Sequence, residues 1–191
     1  MAKKVSSKEL GLVAGLALGK FFFRAEDLHF GYWPDDLEPM VDNLKPAQEA
    51  YSRHLIEQIP DGVQKILDVG SGGGKLAAAL VDQGYAVDCV SPSEYLSGRI
   101  EERLGDRVGL YRCKYEKLET DQRYDLILFS ESFQYVKIQI ALQKSMELLN
   151  DEGFILICDF FRLESGKESI QAGGHDLAIF LARIKIGRAH V

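Results

Sequence analysis

The stretch Lys65-Ile66-Leu67-Asp68-Val69-Gly70-Ser71-Gly72-Gly73-Gly74 decides the fold. A short apolar run leads into a glycine turn. Behind it Leu76, Ala77, Leu80 and Val81 recur at helical steps until Gly84, a C-terminal helix glycine. Strand, glycine turn and helix follow in that order. Glycine lets a ligand approach the backbone closely, and the spacing decides which ligand. A dinucleotide fingerprint places glycine at its first, third and sixth positions, and counting from Gly70 the sixth is Lys75. A P-loop needs a hydroxyl after its lysine to hold magnesium, and here Leu76 follows Lys75. The Asp68 carboxylate would repel a pyrophosphate and suit a cationic ligand.

The alternation continues on both sides. Upstream, Leu44, Ala47, Tyr51, Leu55 and Ile59 give one helical face from Asp42 to Ile59, which stops at Pro60-Asp61-Gly62. Downstream, Ala86 to Val90 is the second strand. Ser91-Pro92-Ser93-Glu94 opens the next helix, with Ser91 as cap in a Ser-x-x-Glu box, proline at the first helical position, and Leu96, Ile100 and Leu104 on the buried face. Val108 to Arg112, Asp125 to Phe129 and Phe154 to Cys158 are the third, fourth and fifth strands. Ile138, Leu142, Met146 and Leu149 form a helical stripe that ends in the turn Asn150-Asp151-Glu152-Gly153. Strands alternating with helices predict an α/β fold, a Rossmann-like doubly wound, mainly parallel sheet with helices on both faces and the first strand central. Functional residues then belong at the carboxyl ends of the strands.

A chain of 191 residues fits one compact domain, and a formal charge of −6 argues against a phosphate-backbone binder, so nucleic acid is excluded as a partner. The basic start and the apolar stretch GLVAGLALG resemble a signal peptide in outline. Lys20 interrupts the stretch, which is shorter than the ~20 apolar residues of a membrane span, and Phe21-Phe22-Phe23 continue it. A helix from about Lys8 to Arg24 is predicted instead. Cys89, Cys113 and Cys158 fall in segments that read as strand and lack zinc-ligand spacing, which predicts buried free thiols in a cytoplasmic protein without a metal. Ile186-Gly187-Arg188-Ala189-His190-Val191 looks like a translated sequencing-adapter read-through, an artefactual tail to which no function is assigned.

Ile66 to Gly74 resembles the first motif of class I S-adenosylmethionine-dependent methyltransferases, whose cofactor carries no phosphate but has a sulfonium and an amino group. Tyr124 to Ser132 resembles the family's fourth-strand motif, and Leu148 to Leu156 its reverse turn and fifth strand. His29-Phe30-Gly31-Tyr32-Trp33 is similar to the HxGYW-like lid segment of methyltransferases that act on small molecules. The resemblance implies S-adenosyl-L-methionine as cofactor and a small-molecule acceptor methylated at O, N or C. It assigns Asp68, Gly70, Ser71, Gly72 and Gly74 to the cofactor's methionine and ribose part, Ser130 to the end of the fourth strand near the reactive methyl, and Tyr115 and Glu116 to the adenine. Tyr32 and Trp33 either face the sulfonium through a cation–π contact or staple the N-terminal helix to the core.

One departure stands out. The family usually has an acid at the end of the second strand that holds both ribose hydroxyls, and this sequence has Ser91 there, followed by Pro92 and Ser93. Ser91 either contacts the ribose or caps the helix; Asp88 lies ~10 Å back along an extended strand.

Methyl transfer is an in-line displacement, so a base is needed only for an acceptor that arrives protonated. Glu131 is the first candidate to orient or deprotonate it, against the reading of a surface or helix-start glutamate. Tyr135 either faces the pocket or packs in the core, and His175, in the loop Gly173-Gly174-His175-Asp176, either reaches the pocket mouth or lies in solvent.

These readings divide the chain into a helical and aromatic lid (1–45), a methyltransferase core (46–185) and the tail (186–191). The family sheet continues into an antiparallel strand pair for which too little chain follows Phe160, so a truncated chain with one uncovered edge is expected, and a homo-oligomer is one way to cover it. Two rival functions stay open: a catalytically inactive cofactor-binding or subunit module, favoured by Ser91 and the short C-terminus, and a nicotinamide oxidoreductase, opposed by Lys75 and Asp68.

Overall fold

The computed structural model describes residues 7–163 and 174–188. Strands β1 (Lys65–Val69), β2 (Ala86–Val90), β3 (Gly109–Tyr111), β4 (Tyr124–Ser130) and β5 (Leu149–Cys158) pair in parallel in the order β3-β2-β1-β4-β5. The first strand is central, and the winding reverses between β1 and β4. This is the expected Rossmann-like doubly wound sheet.

Side-chain alternation along β1 builds two cores. Ile66 packs with Tyr51 and Leu55 of α2 (Leu44–Glu57), Leu80 of α3 (Lys75–Asp82) and Ile100 of α4 (Glu94–Leu104) on one face. Leu67 and Val69 face the other way, with Ile127 and Phe129 of β4, Leu148 of α5 (Ile138–Leu148) and Phe180 of α6 (Leu177–Arg188). Asp68 shares the face of Ile66, since residues two apart on a strand point the same way.

Several boundaries move. Helix α1 spans Ser7–Phe23, and a 3-10 turn at Val41–Asn43 precedes α2. The turn expected at Asn150-Asp151-Glu152-Gly153 lies inside β5, where pairing passes from Tyr124↔Leu149 to Leu126↔Phe154 and the extra residues bulge out. Asn150 Nδ2 donates to Asp125 Oδ1 at 2.7 Å and holds the bulge against β4. All three cysteines are free, but only Cys89 is buried, Cys113 and Cys158 being half-buried, and Cys113 lies beyond the end of β3 rather than in a strand. The loop expected around His175 is also corrected: β7 (His175–Asp176) pairs with β6 (Phe161–Arg162) in a second small parallel sheet. Gly173 lies outside the described residues, as do positions 189–191 of the expected tail. Among the described residues no helix is long and apolar enough to cross a membrane, and no group of three His, Cys, Asp or Glu side chains is placed to hold a metal ion.

Between α1 and α2 the chain crosses the carboxyl end of the sheet. Gln48, buried on α2, donates Nε2 to the carbonyls of His29 (2.8 Å) and Asp27 (3.2 Å), and the Tyr32 N–H donates to the Ala47 carbonyl at 2.9 Å. Gly31 makes that docking sterically feasible: its φ is +83°, and a Cβ there would stand 2.7 Å from Ala47. In Gly31→Ala the Tyr32 amide is therefore expected to exchange with deuterium at least about tenfold faster, equivalent to a local loss of ~1.4 kcal/mol or more, while β1 and β4 stay protected.

Candidate active site

A cavity of about 1040 Å³ opens at the carboxyl ends of β1, β2 and β4 beneath α1 and the crossing segment. Its floor is the turn after β1. The Gly70 N–H donates to the Val90 carbonyl at 2.9 Å, joining the ends of β1 and β2. Gly70 has φ +79°, and a Cβ on it would lie 2.6 Å from that of Ser132. Ser132 is itself fixed, its Oγ donating to the Val69 carbonyl across the switch point.

Under this turn sits Asp68, 1% exposed. Its Oδ2 has no hydrogen-bond partner, and burial pushes the carboxyl up to about 7, with the Ser71 hydroxyl opposing the shift. Ser71 Oγ donates to the Asp68 carbonyl oxygen at 2.7 Å. Lys75 is the nearby cation suited to a phosphate, but its ammonium pairs with Asp27 of the crossing segment at 2.9 Å.

The second wall is the turn after β2. Ser93, not Ser91, caps α4: its backbone is extended and its Oγ accepts the Leu96 N–H at 3.1 Å. Pro92 therefore precedes the cap instead of opening the helix. Ser91 is buried, with its N–H donating to the Tyr111 carbonyl at 3.0 Å. Ser93 Oγ also donates to Glu9 Oε1 at 2.8 Å, and the Tyr95 N–H reaches the same oxygen at 2.8 Å, so α1 brings a carboxylate into this wall. Asp88 is committed elsewhere, accepting from the Gly109 N–H (3.1 Å) and the Tyr124 hydroxyl (2.8 Å).

The third wall is the end of β4. Ser130 Oγ lies 3.1 Å from the Tyr51 hydroxyl. Glu131 adopts φ +49°, rare for a residue with a side chain, and its N–H donates to the Cys158 carbonyl at 2.8 Å. Burial and then the neighbouring Asp159 charge raise its carboxyl to about 7, with a hydrogen bond from the Phe30 N–H acting the other way. Asp159 is held by the Gln134 backbone and side-chain N–H groups, each at 3.0 Å. Tyr135 is 70% exposed and lines the mouth, so it does not pack in the core. Phe30 and Phe160 meet edge-on at 6.2 Å across the opening.

Ten of the predicted residues thus meet around one cavity: Asp68, Gly70, Ser71, Gly72, Ser91, Pro92, Ser93, Ser130, Glu131 and Tyr135. Six others are placed elsewhere. Gly74, with φ +78°, starts α3 and lets it approach Ile100 of α4. Tyr32 stacks on His54 at 4.8 Å and Trp33 Nε1 donates to the Phe30 carbonyl at 2.9 Å; the turn at Gly31 sends both away from the cavity and leaves Phe30 facing it. A 3-10 turn at Tyr115–Lys117 carries the Tyr115 ring into the core beneath α5, its hydroxyl 2.8 Å from Ser145 Oγ. Glu116 on the same turn points to solvent. His175 packs edge-on to Phe133 at 5.2 Å, with Nε2 2.8 Å from the Val136 carbonyl, and does not reach the mouth. Sequence reasoning missed Glu9, whose partners lie far along the chain. It passed over His29 and Phe30, although both stand in the aromatic segment it quoted.

A glycine turn and a buried carboxylate at the switch point of a doubly wound sheet define a domain that encloses a cofactor-sized ligand. The family model described as "Methyltransferase domain" matches residues 31–178, and the chain belongs to that family, the class I S-adenosylmethionine-dependent methyltransferases. An uncharacterized methyltransferase of Staphylococcus carnosus is 28% identical over 124 residues, 63% of this chain and 59% of that protein. The ubiquinone biosynthesis O-methyltransferase of Rickettsia felis is 26% identical over 118 residues, 59% of this chain and 48% of that one. The chain thus spans about half the length of the curated relatives it matches. Among solved structures, the [4+2]-cyclase SpnF superposes with a TM-score of 0.71 at 20% identity, covering 91% of this chain and 66% of that one. Coclaurine N-methyltransferase bound to N-methylheliamine and S-adenosylhomocysteine gives 0.61 at 22%, covering 81% and 51%. These structural likenesses concern the fold.

Asp68 makes a testable link between site and stability. Its carboxyl titrates near 7 when folded and near 3.9 when unfolded. Below about pH 4 both states are protonated and burial costs no charge. Above about pH 7 the folded state holds a buried charge, and stability has been lost progressively in between. In the ligand-free protein Asp68→Asn is expected to raise Tm at pH 8 by several degrees, with a ceiling of about 4 kcal/mol, and the gain should shrink as pH falls toward 4. Thermal unfolding of both proteins from pH 5 to 8 checks this.

Proposed function

We propose that the chain binds S-adenosyl-L-methionine in this cavity and transfers its methyl group to a small-molecule acceptor. The observation that carries the reading is the unpartnered, buried Oδ2 of Asp68 beneath the glycine turn. A group with that surplus acceptor capacity and a carboxyl raised to about 7 favours a cation, and the ligand offers an amino group without any phosphate. The pairing of Lys75 with Asp27 removes the charge a phosphate would seek. The rest of the lining fits a zwitterionic nucleoside: the side-chain-free backbone of the glycine turn, the hydroxyls of Ser91, Ser93 and Ser130, and no excess of basic side chains. The likeness to the O-methyltransferase of Rickettsia felis supports the reaction, and the likeness to the coclaurine enzyme, which has S-adenosylhomocysteine bound, supports the cofactor.

When bound, the cofactor supplies a methyl group on a sulfonium, an electrophile that needs no metal. Asp68 and the Gly70 to Gly72 backbone hold its cationic end, and Ser91 and Ser93 border its nucleoside end. Glu131 faces the acceptor. With its carboxyl near 7 it accepts a proton from an acceptor hydroxyl or amine near neutral pH, and the rigid backbone at φ +49° fixes its direction. Phe30, Tyr135 and Phe160 give the mouth apolar walls that exclude water and suit an acceptor with a flat or apolar body.

Two measurements test the reading. Because the ionised form of Asp68 holds a cation better, affinity for S-adenosylmethionine is expected to rise as pH climbs through about 7, up to about tenfold per unit below it, with proton release on binding. Calorimetry from pH 6 to 8 detects both, and pH-independent affinity or absent binding contradicts the assignment. Glu131 must be deprotonated to accept a proton, so methyl transfer in an acceptor panel is expected to rise with pH through about 7. Glu131→Gln should lose about 10²-fold or more in kcat. Cofactor binding without release of S-adenosylhomocysteine from any acceptor would identify an inactive binding module instead.

A further inference from the structure

Helix α1 is apolar on two opposite faces. Leu12, Val13 and Leu16 turn inward, and Leu12 lines the cavity. The other face carries Leu10, Ala14, Ala17, Leu18 and Phe21, spaced by three, four and one residues as a helical stripe, and all five are exposed. Phe22 adjoins this stripe, its ring edge-on to that of Phe21 at 4.9 Å. Phe21 is 80% and Phe22 64% exposed, although a helix that is apolar all round belongs in a core. The end of α1 keeps these rings outside. Arg24 leaves the helix at φ +53°, and the Ala25 N–H donates to the Gly19 carbonyl at 3.1 Å, so the chain turns inward at the buried Ala25. Charge is divided along the same line. Residues 1–24 hold five Lys or Arg against Glu9, whereas the rest of the chain holds 18 Lys or Arg against 28 Asp or Glu. The apolar stripe therefore lies in a basic segment of an acidic protein.

We propose that the outer face of α1 docks on an anionic phospholipid bilayer, with Leu18, Phe21 and Phe22 set into the boundary between headgroups and acyl chains. Interfacial helices bury leucine and aromatic side chains there while their lysines and arginines meet anionic headgroups. With 17 residues, α1 lies on the bilayer and does not cross it. Charge selects this occupant over a second copy of the chain. Two copies joined through the same face would bring their basic segments together, like against like, whereas an anionic bilayer supplies apolar depth and the opposite sign at once. The acidic remainder is repelled by the same surface, so the protein meets it through α1. Because the inner face of α1 lines the cavity, docking sets the cavity about one helix diameter, ~10 Å, from the headgroups. Docking of this kind does not depend on what the cavity holds.

Co-sedimentation of the full chain with sucrose-loaded vesicles tests this, using phosphatidylcholine alone and equal parts of phosphatidylcholine and phosphatidylglycerol. At about 0.05 M salt the parent is expected to bind the mixed vesicles at least about tenfold more tightly than the neutral ones, and at about 0.5 M salt to lose most of that difference. Phe21→Ser combined with Phe22→Ser should weaken binding to the mixed vesicles by about tenfold or more. Both rings are exposed, so the double variant is expected to keep the parent's Tm within about 2 °C. Met146→Ser removes an exposed apolar side chain on α5 and should bind as the parent does. No binding to the mixed vesicles, equal binding to both kinds, or a double variant that binds like the parent overturns the proposal. So does a parent that is dimeric by light scattering, monomeric in the double variant and without vesicle binding, which assigns the face to a second copy.

Discussion

A carboxylate buried on the central strand of a parallel sheet costs stability unless a donor or cation meets it. Asp68 occupies that position because strand alternation puts it on the face of Ile66, under the turn that leaves β1. The surroundings bury the carboxylate at the edge of the cavity. Gly70 carries no side chain because Ser132 lies where one would go, and Ser132 is fixed by its bond to the Val69 carbonyl. Lys75, the cation one turn away, is withheld by Asp27. A site that leaves its central charge for a ligand to satisfy trades stability for binding.

The roof over that charge is assembled from residues far apart in the chain. Gln48 on α2 holds the backbone of the crossing segment, and Arg103 on α4 donates both to the Gly73 carbonyl and to Glu26. Bonds from Arg103 and Lys20 hold the Glu26 carboxyl down to about 2, so this clamp stays ionised through the neutral range. Each contact joins the crossing segment to an element that also borders the cavity.

Sequence legibility followed the range of the interactions. β1 and β2 were placed to the residue, because a buried apolar run bounded by turn residues is a local signal. The start of β5 was misplaced because Asn150 to Gly153 carry turn chemistry and are in fact a bulge held by Asp125. The α4 cap fell on Ser91 in sequence because Pro92 looks like a first helical residue; the structure uses Ser93. Tyr115 and His175 were drawn to the site by their place after strands, yet a 3-10 turn and a two-residue strand bury or pack both elsewhere. Glu9, Gln48 and Arg103 left no local trace, since what each does depends on a partner across the fold.

The central claim is that the cavity is a cofactor site organised by the Asp68 carboxylate. A crystal structure of the chain grown with saturating S-adenosylmethionine or S-adenosylhomocysteine tests it most directly. The account predicts the ligand in the cavity, its amino group meeting the Asp68 side or the glycine-turn backbone. A cavity left empty at saturation, or a ligand seated with no contact to the turn from Gly70 to Gly74, would contradict it.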